Sequence, residues 1–543
     1  MLVEQVPDGA AFDFIVVGAG SAGCAIANRL SAERRHAVLL IEAGPRDTDR
    51  NIHVPLMVAN LLNDERITWP FVTEPQIHMH GQRQRWVRGR VLGGCSAING
   101  SIYVRGDPRE YDDWRDAGCD GWGYDDVLPY FRRLEDFPRG DPAVRGHGGP
   151  VGCTSIGPFD DLAQAFVDGA VQTGARRVDD YNDGRHYEGA FHLQYSTRRG
   201  WRSSAAVAYL RPVRDRANLT VLTGGTVTRV TLDGRRATGV QCMLAGTSRT
   251  FHARREVILS AGPLQSPKLL ELSGIGRPDV LQPLGIGVVH AAPQVGENLR
   301  DHPNLRVTYE CTQPLTINDV LRSPWRKLRE GLRFALQRKG FLTICSSTAQ
   351  ANVRLDPTSD RADLAIRLHP LSSRDRYART PEAGLDPFSG FSLGMAVLQP
   401  RSTGTVHAQS TDPLQQARMD PRYLSHEADA QMFVEAVKFA RRLAATPAMT
   451  AMIVRETRPG PGVQDDAGLL DYVKASAQTS WHMVGTCRMG SDAAAVVDPQ
   501  LRVRGIDALR VIDSSICPTI PASNTNIPSI MIGEKGADLV LAG

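Results

Sequence analysis

The period of the hydrophobic pattern changes several times along the chain, and each change locates an element. Residues 12–17, FDFIVV, form a nearly continuous apolar run that stops at Gly18, as in a parallel strand buried on both faces. Gly20 and Gly23 follow, and SAGCAIANRL, residues 21–30, predicts a helix. A second run, AVLLI at 37–41, predicts another buried strand that ends on Glu42. Residues 200–255 carry shorter β-type runs, LTVLTGGTVTRVTLDG and TGVQCML, that predict a meander. EVILSAG at 256–262 predicts a third buried strand ending in a small-residue turn at Ala261 and Gly262. LRVIDSSI at 509–516 predicts one more, carrying Asp513. Helical period returns in AQMFVEAVKFARRLAA, where Phe433, Ala436, Val437 and Ala440 share one face.

Strand, glycines, helix and distant acid in this register predict a dinucleotide site. The glycines let the backbone turn tightly and approach a pyrophosphate, the helix start offers its amides, and Glu42 stands where a carboxylate takes ribose hydroxyls. We expect a discontinuous nucleotide-binding domain over 12–150, 200–310 and 480–543, with a substrate domain over 151–199 and 311–479. At 543 residues the chain is too long for one ordinary core, which agrees with two domains.

Charge narrows the classes of partner. A net charge of +4, with 63 basic against 59 acidic residues, and dispersed arginine pairs predict no nucleic-acid surface. No apolar run approaches the ~18 residues of a membrane span, and the first residues, MLVEQVPDGAAF, show no export signal. Nine cysteines without a C-x-x-C pair fit reduced thiols. Together these predict a cytoplasmic protein. His78 and His80 form an H-x-H pair without a third ligand at plausible spacing, so no metal is expected. No G-x-S-x-G nucleophile turn follows a strand.

Five segments carry further chemistry: GRVLGGCSAING at 89–100, GPLQSPKLLELSGIG at 262–276, VGENLRDH at 295–302, WHMVGTCRMG at 481–490 and NTNIPSIMIGEK at 524–535. Together with the first glycine unit they resemble the glucose-methanol-choline (GMC) oxidoreductases over nearly the whole chain. The resemblance implies an α/β fold: a Rossmann-like FAD-binding domain, and a second domain built on an antiparallel sheet with helices. It implies FAD at Gly18, Gly20, Ser21, Ala22, Gly23, Glu42 and Ala43, with Arg90, Gly93, Gly94, Ser96 and Asn99 near the flavin ring. Ala261, Gly262, Asp513, Asn524 and Thr525 complete the expected cofactor contacts. Some relatives attach FAD through a histidine at the position of Ile98; isoleucine has no nucleophile, so noncovalent FAD is expected.

The same resemblance implies His482 as catalytic base and Asn526 as its hydrogen-bonding partner, with Trp481 in the substrate pocket. A neutral imidazole can take a hydroxyl proton at physiological pH. His302, in VGENLRDH, is expected to serve the structure of a cofactor loop rather than proton transfer. The expected reaction is oxidation of an uncharged primary alcohol to an aldehyde, with oxygen, a quinone or another carrier as acceptor. Choline-specific relatives carry an acid on a middle-domain segment where this chain offers Thr348 and Gln350, which disfavours choline. Choline dehydrogenase and FAD-containing hydroxynitrile lyase are the alternatives.

Overall fold

A computed structural model of the chain describes residues 2–345, 347–374 and 383–543. Two sheets organise it. The first joins β1 (Ala11–Val17), β2 (Val38–Glu42), β3 (Leu219–Thr223), β4 (Gly225–Asp233), β5 (Arg236–Leu244) and β6 (Thr247–Leu259). Their order is β3-β2-β1-β6-β5-β4, with the short strand Leu2–Val3 outside β3 and Leu509–Val511 against β6. β1 runs parallel to β2, Phe14 opposite Val38 and Val17 opposite Ile41. Helix α1 (Ser21–Leu30) forms the crossover between them.

β6 serves two pairings. Residues 247–252 close the antiparallel meander with β5, whereas Glu256–Leu259 run parallel to β1 across a bulge after Ala253. The predicted last strand is shorter than its apolar run. Pairing ends at Val511, because the Asp513 carboxylate accepts from Ser515 N at 2.8 Å and turns the chain into a 3₁₀ turn.

The second sheet is antiparallel: β7 (Pro303–Cys311), β8 (Ala349–Val353), β9 (Leu364–His369), β10 (Gly390–Val397) and β11 (Ile453–Arg458). Its order is β11-β7-β10-β9-β8, with Gly189–His192 at the far edge. Residues 303–310 therefore lie in this sheet and not in the nucleotide-binding one. Strand period 2 gives the sheet two chemically different faces. Leu305, Val307, Ile366, Leu368, Leu393 and Met395 pack in one buried apolar cluster with Phe433 and Val437 of a helix. The alternate residues are polar or small: Asn304 and Arg306, Gln350 and Asn352, Arg367 and His369, Ser392 and Gly394.

Three further helices matter below. α2 (Pro324–Gln337) rides on the surface, and α3 (Glu427–Ala444) is the amphipathic helix that covers the second sheet. α4 (Asn526–Leu541) is buried on nearly all sides and lies against α1, where a Cβ on Gly533 would meet Ala22 O at 2.6 Å.

Candidate active site

The three glycines after β1 do two different jobs. Gly18 has φ +99°, and a Cβ there would stand 2.5 Å from Ser260 O. One on Gly23 would lie 1.9 Å from Gly18 O. Both are needed for packing. Gly20 differs: a Cβ there would meet nothing within 4 Å. It is the N-cap of α1 and supplies no side-chain cap, so the first helical amides face that open space.

This space is a cavity lined in part by Gly18, Gly20, Ser21, Ala22, Glu42 and Ala43. Gly94, Ala261, Gly262 and Asp513 reach it from three other segments. Glu42 is buried, accepting from Ala19 N at 3.0 Å and Gly44 N at 2.9 Å, and burial raises its carboxyl to about 7. Amides at a helix start beside a carboxylate fit the pyrophosphate and ribose of a dinucleotide. Asp513 spends its carboxylate on the protein, accepting from Gly262 N at 2.9 Å and Ser266 Oγ at 2.6 Å.

Other expected cofactor residues hold the loop from behind. Gly93 N donates to Ala19 O at 2.8 Å. Ser96 Oγ donates to Gly93 O at 2.6 Å and accepts from Ala205 N at 2.8 Å. The Arg90 guanidinium lies 4.7 Å from the centre of the Trp69 ring.

A second cavity continues the first, sharing Ser21, Arg88, Cys95, Ser514 and Ser529 with it. Ile98, Asn99, Trp481, His482, Asn524, Thr525 and Asn526 all line this half. Arg306, Arg367 and His369 enter it from the polar face of the second sheet.

Here the hydrogen-bond directions identify which nitrogen of His482 donates and which accepts. The Leu398 carbonyl can only accept, so His302 Nε2 carries the proton in their 2.9 Å bond. Burial keeps that ring neutral, lowering its pKa to about 4. His302 Nδ1 is therefore an acceptor, and His482 Nδ1–H donates to it at 3.0 Å. The Nε2 lone pair of neutral His482 then faces the cavity, where Asn524 Nδ2 donates to it at 2.8 Å. Asn524 is oriented in turn, because its Oδ1 accepts from Arg367 Nη2 at 2.9 Å. Arg367 Nε donates to Gln350 Oε1.

The backbone of His482 is held as firmly. Asp301, buried, accepts from His482 N at 2.7 Å, from Thr479 Oγ1 at 2.5 Å and from the Tyr423 hydroxyl. Trp481 takes φ +60°, unusual for a bulky residue, and its Nε1–H donates to Arg85 O at 2.9 Å. Thr479 Oγ1 accepts from Trp481 N at 2.8 Å.

The structure brings His482, Asn524 and Asn526 to one cavity but pairs them differently from the expectation. Asn524, two residues earlier, touches His482. Asn526 opens α4 and accepts from Ser21 Oγ at 2.8 Å, where the two halves of the site meet. His302 contacts the ring of His482 instead of bracing a cofactor loop. Sequence reasoning missed Asp301, Arg367 and the support from Gln350. Period-2 polar positions in the runs LAIRLH and AQANV carried the signal for the last two.

Comparison with known proteins agrees with this architecture. The family profile described as GMC oxidoreductase matches residues 12–304 and 400–533, and the chain belongs to that family. It is 39% identical over 537 residues to the oxygen-dependent choline dehydrogenase of Photobacterium profundum, spanning 98% of this chain and 93% of that one. It is 37% identical to the alcohol dehydrogenase [acceptor] of Pseudomonas putida, spanning 98% and 96%. Among solved structures, pyridoxine 4-oxidase from Mesorbium loti superposes with a TM-score of 0.87 at 31% identity, covering 97% and 98%.

Proposed function

We propose that this GMC oxidoreductase oxidises a primary alcohol to an aldehyde, with His482 Nε2 as the base that takes the hydroxyl proton. The residues lining the two continuous cavities would hold FAD, which would supply the two-electron acceptor for the hydride leaving the carbinol carbon. The observation that carries the reading is the bond sequence from Leu398 O through His302 to His482. It leaves the lone pair of a neutral imidazole pointing into the cavity, and a carbonyl product forms readily only if the hydroxyl proton leaves with the hydride. The hydroxyl takes the place of Asn524 at Nε2, and Asn526 holds the same oxygen from the start of α4. Ile98 beside the cavity favours noncovalent FAD, which acid precipitation would leave in the supernatant. Oxygen, a quinone or another carrier then accepts the electrons.

Choline is the second reading, favoured by the curated relatives that carry that name. A quaternary ammonium is held by a carboxylate or by a cage of aromatic rings, and the described residues lining the substrate half include Arg88, Arg306 and Arg367 and a single Trp, Trp481, but neither Asp nor Glu. Arg306 and Arg367 both stand opposite Gly394, in one row across the sheet. This arrangement supports a substrate without positive charge. The test is anaerobic reduction of the holoenzyme by benzyl-type alcohols, short aliphatic alcohols and choline. His482→Ala should keep its FAD and lose ~10²- to 10⁴-fold in flavin reduction rate, and Asn526→Ala should lose less. Wild-type reduction in the histidine variant, or a tenfold preference for choline, would overturn the assignment of base or of substrate. A cyanohydrin cleaved without bleaching the flavin would indicate the lyase alternative.

A further inference from the structure

Helix α2 attaches to the body through little of its own surface. Only Glu330 and Phe334 are buried in it, Phe334 packing edge-on to Trp201 at 5.0 Å. Its outer face carries Trp325, Leu328, Leu332 and Leu336, exposed by 79%, 53%, 51% and 80%. Their helical spacing sets the four in one stripe. An outward apolar stripe inverts the usual helix pattern, and a contiguous patch of this kind marks an interaction surface.

The charge around the stripe says what it meets. From Arg322 to Lys339 the chain has seven basic residues and one acid, Glu330, and two of its six lysines fall there. Since the whole chain carries only +4, the remainder is net acidic. Glu330 is turned inward, accepting from Phe341 N at 3.0 Å. The basic surface continues past the helix end. The Arg338 guanidinium lies 5.0 Å from the centre of the Trp201 ring, which borders a cavity of about 1310 Å³ reached by Arg50, Arg198, Arg199 and Arg211.

We propose that α2 is an interfacial membrane anchor, lying flat in the headgroup layer of an anionic bilayer with Trp325, Leu328, Leu332 and Leu336 toward the acyl chains. At 14 residues it is too short to span a bilayer, and an apolar stripe flanked by Arg and Lys is the pattern of in-plane binding. A two-fold contact with a second copy would set these cations against each other, whereas anionic lipid neutralises them. The chain leads from α2 through the turn Phe341–Thr343 to Cys345 and Ser347 in the wall of the substrate half. Docking would thus set that wall beside the lipid surface.

The test sediments FAD-loaded protein with vesicles of equal parts phosphatidylglycerol and phosphatidylcholine, and with phosphatidylcholine alone. Wild type should bind the anionic vesicles, weaken as salt rises, and bind the neutral vesicles at least about tenfold less. The combined variant Trp325→Ser, Leu328→Gln, Leu332→Gln, Leu336→Gln should lose binding by more than about tenfold while alcohol-driven flavin reduction is unchanged. Arg326→Gln with Arg329→Gln and Arg333→Gln should lose the preference for anionic lipid. Undiminished sedimentation of the apolar variant would overturn the proposal. So would a lipid-free wild-type dimer that the same variant converts to monomer, since the stripe would then join two copies of the chain.

Discussion

At one end of the site Gly18 and Gly20 line the cavity with backbone, and the open amides of α1 lie beside one carboxylate, Glu42, all within 25 residues of sequence. At the other end, around His482, the groups are side chains drawn from five separate segments, with His302, Arg367, Asn524 and Gln350 joined to it by hydrogen bonds and the carbonyl of Leu398 behind them. The first end depends on space and the second on donor and acceptor order. A backbone cradle should fail when any side chain fills it. A hydrogen-bond sequence should fail by steps, according to how far from His482 it is cut.

The largest effect is expected in the cradle. Gly20→Val has room for its side chain in the protein, yet that room is where the pyrophosphate would lie, so the variant should purify folded and colourless. Gly18→Ala should instead give little folded protein, because its Cβ would stand 2.5 Å from Ser260 O. Circular dichroism with flavin absorbance separates the two, and a yellow Gly20→Val protein would break the contrast.

Next comes the second histidine. His302→Phe removes the acceptor for His482 Nδ1–H and orphans a buried donor. At ~1–3 kcal/mol, that should slow flavin reduction roughly 10- to 100-fold without releasing FAD. His302 also gives a pH signature. Its pKa falls from 6.5 to about 4 on burial, so below 6.5 the unfolded chain takes up a proton that the native state refuses. Stability should be full above about 6.5 and decline as pH falls toward about 4, by roughly 3 kcal/mol. Urea midpoints at several pH values should show this slope in wild type, and His302→Phe should flatten it.

The smallest effect lies one bond further out. Arg367→Met frees Asn524 Oδ1, so the amide can turn over and present oxygen to His482. The loss should be about three- to tenfold in rate, partly restored by Arg367→Lys. If Arg367→Met were slower than His302→Phe, Arg367 would be acting on substrate directly rather than through Asn524.

The amino-acid sequence by itself determined the α/β class, the crossover from β1 through α1 to β2, and the positions of Gly18, Gly20, Gly23 and Glu42. These rest on local period and on spacings within one supersecondary unit, where the chain cannot be arranged otherwise. It also placed α3 to within three residues at its start and one at its end, because one apolar face repeats along the helix. It overextended the last strand, since apolar residues at 512 and 516 are buried without strand pairing. Tertiary structure alone decided that Asn524 rather than Asn526 touches His482, that His302 sets its proton, and that Arg367 and Arg306 share a row across Gly394. Those are pairings between segments up to 180 residues apart, fixed by sheet register and by the direction in which each side chain leaves its strand. No spacing in the chain encodes them.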